Sequence, residues 1–151
     1  MPRRVDWIPE EEWATIVRNV PVVSVDLVVE APEGVLLVER TNRPAMGEWF
    51  VPGGRVRKGE RLVEAVDRVA REELGVAVEI DRSLGAYEHL YDDAEVDDAG
   101  GKHYLANGFL VGTDATEFDL DDQHGAARVF ETPPDDLHPY VSAYLEAAGL
   151  G

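Results

Sequence analysis

Glu73 stands where an apolar helical seam would continue. Leu62, Val66 and Val69 follow one another at steps of four and three, which places them on one face of a helix. The next step of four reaches Glu73. A carboxylate on an apolar face is desolvated and needs a cation or several hydrogen-bond donors, so this position predicts a metal ligand. The alternative is that Glu73, in the last helical turn, points out to solvent.

A double glycine ahead of this helix favours the metal interpretation. Gly53 and Gly54 follow a short apolar segment, residues 49–52, and precede the helical region. Without side chains they allow backbone carbonyls to come close to the helix. A set of ligands made only of oxygen suits a hard cation such as Mg²⁺.

The segment 54–76 resembles the Nudix box, whose pattern is G-x5-E-x7-R-E-U-x-E-E-x-G-U with U an apolar residue. The chain matches this pattern at Gly54, Glu60, Arg68, Ala70, Glu72, Glu73, Gly75 and Val76. The resemblance implies the Nudix α/β/α sandwich with a mixed β-sheet and hydrolysis of a nucleoside diphosphate linked to another moiety, with Mg²⁺ or Mn²⁺. Val69 departs from the pattern, because the family has there a Glu that commonly serves as metal ligand or base. This departure implies fewer metal ligands and a base from elsewhere.

A substitute base must titrate near neutral pH, which favours histidine. His124 falls in a polar loop beside Gln123, whose amide oxygen can ligate Mg²⁺, and such loops often carry catalytic groups. His89 lies among aromatic residues and either lines a pocket or packs. His103 precedes a strand and is ambiguous, whereas His138, inside the terminal helix, is expected to be structural or exposed.

The likeness extends to one branch of the family, the GDP-mannose mannosyl hydrolases. The blocks that carry it are residues 21–26, 40–56, 89–93, 103–109 and 123–124. The resemblance implies attack of water on C1 of the sugar with inversion and departure of GDP, instead of attack on phosphorus. By this likeness His124 matches the general base, and Gly53, Glu73 and Gln123 match the Mg²⁺ ligands.

The same likeness implies the substrate contacts. Arg40, Arg55 and Arg68 match positions that hold or neutralise the diphosphate, with orientation of the metal site as the other role for Arg68. Three further positions match residues that line the substrate pocket or support the leaving group: Asp26, His89 and Tyr104. Cations at these places suit the reaction, since negative charge grows on the departing diphosphate. Glu72, which that branch often lacks, is either a surface partner of Arg68 or restores some metal affinity.

Composition limits the class of protein. The chain has 151 residues, 44% of them hydrophobic, and no cysteine, which predicts one domain, residues 1–151 with an N-terminal extension of about 20 residues, and no disulfides. The net charge of −17 should repel nucleic acid and membrane surfaces. The segment 40–71 nevertheless carries eight basic and four acidic residues, a local +4 against −21 for the remainder. It is either an anion-accepting site or a helix face of mixed charge.

Apolar spacing and turn residues predict three helices and seven strands. The helices are 9–18, 59–74 and 134–148, and the strands are 22–30, 35–40, 49–52, 76–80, 84–91, 104–111 and 127–131, the first two strands forming a hairpin. This mixture predicts an α/β domain with helices on both faces of the sheet.

The leading hypothesis is therefore a Mg²⁺-dependent hydrolase of a GDP-hexose, GDP-mannose or GDP-glucose. The alternatives are a conventional Nudix pyrophosphohydrolase, which gives a nucleoside monophosphate and a sugar phosphate, and a module that only binds a nucleotide sugar. We expect a cytoplasmic protein with no nucleic-acid or membrane partner, since no apolar run approaches a membrane span and no leader is present. Its acidic surface resembles that of proteins from a salt-rich cytoplasm. Related enzymes are dimers, and Trp7 and Trp13 would add an apolar patch.

Overall fold

A mixed β-sheet forms the centre of the fold in the computed structural model. The structure describes residues 8–41, 44–119 and 124–150, and of residues 124 and 125 the backbone alone. The helices in these ranges are α1 (Glu10–Asn19), α2 (Leu62–Val69) and α3 (Pro139–Ala148), with a π-helical turn (Ala70–Leu74) directly after α2. The strands are β1 (Val22–Ala31), β2 (Gly34–Arg40), β3 (Trp49–Phe50), β4 (Gly53–Arg55), β5 (Glu79–Tyr91), β6 (Lys102–Gly112) and β7 (His124–Phe130).

The strand order is β3-β2-β1-β6-β5, and β4 also pairs with β1 while β7 pairs with β2. β1 is antiparallel to β2, as the predicted hairpin requires, and parallel to β6. Parallel pairing makes the sheet mixed and brings residues that are far apart in the sequence side by side.

Alternation along β1 divides the core into two layers. Val25 and Leu27 pack on one face with Val66 and Val69 of α2. Val28 packs on the other face in a cluster that includes residues of α3. Helices on both faces of a mixed sheet confirm the predicted α/β/α architecture. No helix in the described part of the chain is long and apolar enough to cross a membrane.

Two predicted strands are in fact one. The segments 76–80 and 84–91 were separated by polar residues, but β5 runs without interruption from Glu79 to Tyr91. Register shifts against β6 fall between Ile80 and Arg82 and between Ser83 and Gly85. Such irregularities allow a strand to continue through a break in its alternation.

The terminal helix begins later than predicted. Its first residue is Pro139, not residue 134, because His138 is the N-cap and its Nδ1 accepts a hydrogen bond from the backbone N–H of Tyr140 at 3.1 Å. Proline is well suited to the first helical position, since it lacks the N–H that would be unpaired there. The prediction that placed His138 inside the helix was therefore wrong.

Other boundaries also differ. Gly53 and Gly54 belong to a strand of their own, β4, and do not merely close the preceding one. Leu62 is 38% exposed because it opens α2, so the buried seam consists of Val66 and Val69 with their small neighbours. His124 was predicted in a loop, but its backbone begins β7.

Candidate active site

Arg68 ties α2 to the chain that precedes it. Its Nε donates to Glu60 Oε2 at 2.7 Å, and its Nη2 donates to Glu60 Oε1 at 3.0 Å and to the carbonyl of Arg55 at 2.7 Å. The hydrogen bonds with Glu60 raise the pKa of Arg68 and lower that of Glu60. Because the guanidinium is fixed by groups of the chain itself, this geometry favours the orienting role for Arg68 over direct contact with a diphosphate.

Three of the basic residues on and near α2 are paired with carboxylates. Arg57 Nη2 lies 3.0 Å from Glu72 Oε1, and Arg68 Nη1 lies 3.2 Å from Glu72 Oε2. Arg71 pairs with Asp67 one helical turn earlier, at 3.1 Å. These contacts favour the mixed-charge helix face for this part of the segment 40–71. They also show that Glu72, half of whose side chain is exposed, is a partner of arginines. This agrees with the first of the two roles predicted for it, a surface partner of Arg68.

Glu73 lies against the double glycine. It follows Glu72 in the π-helical turn, is half-buried and has its Oε2 atom out of contact with solvent. A Cβ added to Gly54 would lie 3.7 Å from Glu73 Oε1 and 3.0 Å from Val69 Cγ2. The alternative that Glu73 points out to solvent is therefore wrong. Turns of this π-helical type often occur at functional sites.

Gly53 faces the opposite way from Gly54 and contacts Asp26. Gly53 of β4 pairs with Asp26 of β1, and a Cβ on Gly53 would lie 2.2 Å from Asp26 Oδ1. Ladder hydrogen bonds form on both sides of this pair, from Leu27 N to Pro52 O at 2.8 Å and from Val56 N to Val23 O at 2.9 Å. Since ladder bonds alternate in an antiparallel pair, the carbonyl of Gly53 points away from β1 and is available to a ligand.

Asp26 is a carboxylate inside the α3 side of the fold. Its Oδ2 accepts a hydrogen bond from the Tyr144 hydroxyl at 2.7 Å. Burial raises the pKa of Asp26 to about 6, while the Tyr144 hydrogen bond and the charge of Arg40 act in the opposite direction. Asp26 is therefore mostly ionised at neutral pH and sensitive to the groups around it.

His89 packs more than it lines a pocket. It is 4% exposed and stacks on the Tyr140 ring with centroids 4.1 Å apart. Burial, followed by the nearby charge of His138, lowers the pKa of His89 to about 4. The imidazole is thus neutral, and its Nδ1, 3.9 Å from Asp26 Oδ2, does not form an ion pair with that carboxylate. Its Nε2 is buried and has no hydrogen-bond partner among the described residues.

Tyr104 lies beside His89 on the same face. The two residues are paired in the β5–β6 ladder, and the Tyr104 ring packs edge-on against Tyr91, with centroids 6.1 Å apart. Lys102 Nζ lies 4.8 Å from the Tyr104 ring. The structure therefore brings together the three residues predicted to line the substrate pocket, on the α3 face and near the end of the sheet.

The two other predicted arginines lie in different surroundings. Arg40 ends β2, donates from Nε to the Pro44 carbonyl at 2.7 Å and lies 5.8 Å from the Phe50 ring. Arg55 ends β4, and its guanidinium lies 5.7 Å from the ring of Trp13 on α1. Trp13 is thus engaged within its own chain, and the dimer patch predicted with Trp7 stays untested because Trp7 lies outside the described residues.

For His124, the predicted base, the structure describes the backbone alone. His124 pairs with Arg40 in the β2–β7 ladder, after a register shift at the end of β2. The main chain of the base therefore borders an arginine predicted to hold the diphosphate. Gln123, the predicted amide ligand, lies outside the residues that the structure describes.

A model of the NUDIX domain family matches residues 20–147. The chain belongs to the Nudix family. This Nudix chain is 54% identical over 140 residues to the low-salt glycan biosynthesis protein Agl8 of Haloferax volcanii, an alignment that covers 93% of the chain and 90% of that protein. It is 40% identical over 67 residues to an ADP-ribose pyrophosphatase of Methanocaldococcus jannaschii, across 44% of the chain and 40% of that protein.

Solved Nudix structures share the fold. The crystal structure of a MutT NUDIX hydrolase from Burkholderia pseudomallei superposes with a TM-score of 0.66 at 28% identity, covering 84% of this chain and 97% of that one. The α/β/α arrangement around the Nudix helix is therefore common to both proteins.

Nudix hydrolases generally use a divalent cation such as Mg²⁺, and the residues at the double glycine fit one. Glu73 supplies a half-buried carboxylate, and the missing side chain of Gly54 leaves space beside it. The Gly53 carbonyl supplies a second oxygen. No three His, Cys, Asp or Glu side chains cluster as a metal site in the described ranges, so backbone and amide oxygens would complete the ligand set.

Tyr144 was not predicted from the sequence as a site residue, nor was the close packing of Gly108 against its ring. A Cβ on Gly108 would lie 2.5 Å from Tyr144 Cε1. A glycine in the interior of a strand indicates the close approach of another group, so Gly108 carried a usable signal. Nothing in the sequence indicated that the approaching group is a tyrosine of α3.

Proposed function

We propose that this Nudix hydrolase cleaves a GDP-hexose, GDP-mannose or GDP-glucose, into GDP and the free sugar by attack of water on sugar C1 with inversion. The observation that carries the proposal is Val69. It occupies the position of a Nudix glutamate, is fully buried and packs under Gly54. A carboxylate that commonly assists attack on phosphorus is thus replaced by part of the core, and Glu73 supplies the carboxylate on the α2 side of the double glycine.

The chain's own residues suit attack at carbon. The water oxygen bonds to C1, the bond from C1 to the diphosphate oxygen breaks with its electron pair on GDP, and His124 accepts the proton of the water. In this proposal Arg40 and Arg55 stabilise the negative charge that accumulates on GDP, since fixed cations stabilise such a transition state more than the ground state. A Mg²⁺ held by Glu73, the Gly53 carbonyl and Gln123 would add positive charge at the leaving group.

Similarity to Agl8 supports a substrate that carries a sugar. The name of that protein places it in glycan biosynthesis, a process that consumes activated sugars. The similarity extends across 93% of the chain and so includes both the Nudix box and the residues around Asp26.

Product analysis tests the proposal. We expect the protein with Mg²⁺ and GDP-mannose or GDP-glucose in ¹⁸O-labelled water to give GDP without label and hexose with ¹⁸O at C1. Phosphorus NMR and mass spectrometry measure the two products. The appearance of GMP and hexose 1-phosphate would overturn the proposal, and tight binding without turnover would favour a module that only binds the nucleotide sugar.

Conventional pyrophosphohydrolase activity is the second candidate. The name of the Methanocaldococcus jannaschii relative, an ADP-ribose pyrophosphatase, and the presence of Glu72 support it. In that reaction Glu72 would have to leave Arg57 and Arg68 to reach a metal. ADP-ribose tested beside the GDP-hexoses, with AMP as the diagnostic product, separates the two candidates.

A further inference from the structure

We propose that Tyr144 is a positioning residue that holds the Asp26 carboxylate in the orientation needed for contact with the substrate. The inference rests on the proposed function in one respect, namely that Asp26 contacts the nucleotide sugar. The Tyr144 hydroxyl donates to Asp26 Oδ2 at 2.7 Å, and the tyrosine itself is 1% exposed. A hydrogen bond this short, to a charged acceptor and shielded from water, is stronger than one between neutral groups.

Glycines on the two strands next to Asp26 leave space for the Tyr144 ring and for the Asp26 carboxylate. Gly108 is the β6 residue paired with Asp26, and a Cβ there would lie 2.5 Å from Tyr144 Cε1 and 2.9 Å from Cδ1. Gly53 is the β4 residue paired with Asp26, and a Cβ there would lie 2.2 Å from Asp26 Oδ1. One glycine neighbour thus admits the tyrosine ring and the other admits the free carboxylate oxygen. Asp26 is thus hydrogen-bonded to α3 through Oδ2, while Oδ1 lies against the backbone of Gly53.

Aromatic neighbours hold the Tyr144 ring in place. The Tyr144 ring makes T-shaped contacts with the rings of Tyr87 and His89. The centroid distances are 4.7 Å and 5.4 Å, and the interplanar angles are 68° and 67°. Since the ring cannot swing without displacing these residues, the hydroxyl points in a fixed direction. Tyr144 therefore determines the direction of Asp26, and not the reverse.

Tyr140 provides a matched control on the same helix. Its hydroxyl donates to the carbonyl of Leu90 at 2.8 Å and accepts from the Leu90 N–H at 2.9 Å. It therefore bonds to the backbone of β5, and none of its described hydrogen bonds reaches Asp26. Tyr140→Phe and Tyr144→Phe each remove one hydroxyl from α3, so a difference in activity between them reports on Asp26 and not on general loosening of the helix.

We expect Tyr144→Phe to lower kcat/KM by at least about tenfold, the effect of losing one hydrogen bond to a charged group. Tyr140→Phe should stay within about threefold of the wild type in kcat/KM, and we expect a lower Tm for both variants, because each loses the hydrogen bonds of one hydroxyl. The decisive measurement is a double-mutant cycle with Asp26→Asn. If Tyr144 acts through Asp26, Tyr144→Phe has no further effect in the Asp26→Asn background.

An equal fall in kcat/KM in both backgrounds, or an equal fall for Tyr140→Phe and Tyr144→Phe, overturns the inference. The outcome is independent of which bond is cleaved. If the wild type releases GMP and hexose 1-phosphate, the proposed function fails and the same cycle is evaluated on that reaction. If the wild type binds GDP-mannose without turnover, the cycle is evaluated on its Kd by calorimetry.

Discussion

Replacing Glu73 with Gln is expected to lower kcat on the order of 10³-fold and to weaken Mn²⁺ binding at least about tenfold. The amide keeps the size of the side chain beside Gly54 but removes the negative charge that a hard cation requires. A catalytic metal contributes several kcal/mol of charge stabilisation in the transition state, and each 1.36 kcal/mol corresponds to about tenfold in rate. Titration of the protein with Mn²⁺, followed by electron paramagnetic resonance, measures the binding directly.

Glu72→Gln is the matched control for that variant. It changes the adjacent residue in the same π-helical turn, but the carboxylate removed is one that Arg57 and Arg68 engage. We expect Mn²⁺ affinity and kcat to change by no more than about threefold, in keeping with the small energy of exposed ion pairs. If Glu72→Gln and Glu73→Gln weakened Mn²⁺ binding equally, the two carboxylates would share the metal and the conventional pyrophosphohydrolase would gain support.

The sheet and its layers could be predicted because they follow from local patterns. The turn between β1 and β2 and the alternation of buried residues along β1 determine the hairpin and the two faces of the sheet. The errors arose where tertiary contacts override such patterns. Polar residues near Arg82 resemble the end of a strand, yet pairing with β6 continues across them. Acidic residues ahead of Pro139 resemble a helix start, yet the N-cap of His138 fixes the boundary.

The candidate site was predictable on its α2 side and much less so on its α3 side. Glu73 could be derived from helical spacing, since its position depends on neighbours within one helix. The contact between Tyr144 and Asp26 joins residues 118 positions apart. It depends on the parallel pairing of β1 with β6, which no short-range pattern encodes. The family resemblance indicated Asp26, and Gly108 was the residue that signalled a close approach beside it.

For the arginines of the helix, the uneven charge of the chain corresponds to one of its two interpretations, a helix face of mixed charge. Arg57, Arg68 and Arg71 are balanced by carboxylates on or near α2, so they stabilise the Nudix helix and add little free positive charge. Arg40 differs from them, because it lies at the end of β2 and close enough to Asp26 to lower its pKa. Attraction of an anionic substrate is therefore expected to depend more on Arg40 than on the arginines of the helix.

His124→Ala is expected to lower kcat by about 10² to 10⁴-fold with little change in KM, the effect of removing a general base. The backbone of His124 pairs with Arg40 in the β2–β7 ladder. By contrast, Glu73 lies beside Gly54 on the α2 side of β4. Attack at carbon requires a base such as His124, because the water approaches from the side opposite to GDP and the metal acts on the leaving group. Steady-state kinetics with GDP-mannose measures both parameters.

Addition of imidazole distinguishes a base from a structural residue. In the His124→Ala variant, free imidazole can occupy the vacated space and accept the proton, so we expect the rate to rise in proportion to its concentration. His103→Ala serves as the control. His103 pairs with Leu90 near the start of β6, and neither a large loss of rate nor rescue by imidazole is expected for it. A His124→Ala variant with normal kcat would remove His124 from the mechanism. A variant with low kcat that imidazole does not restore would assign His124 to the structure of β7, and another group would then have to accept the proton.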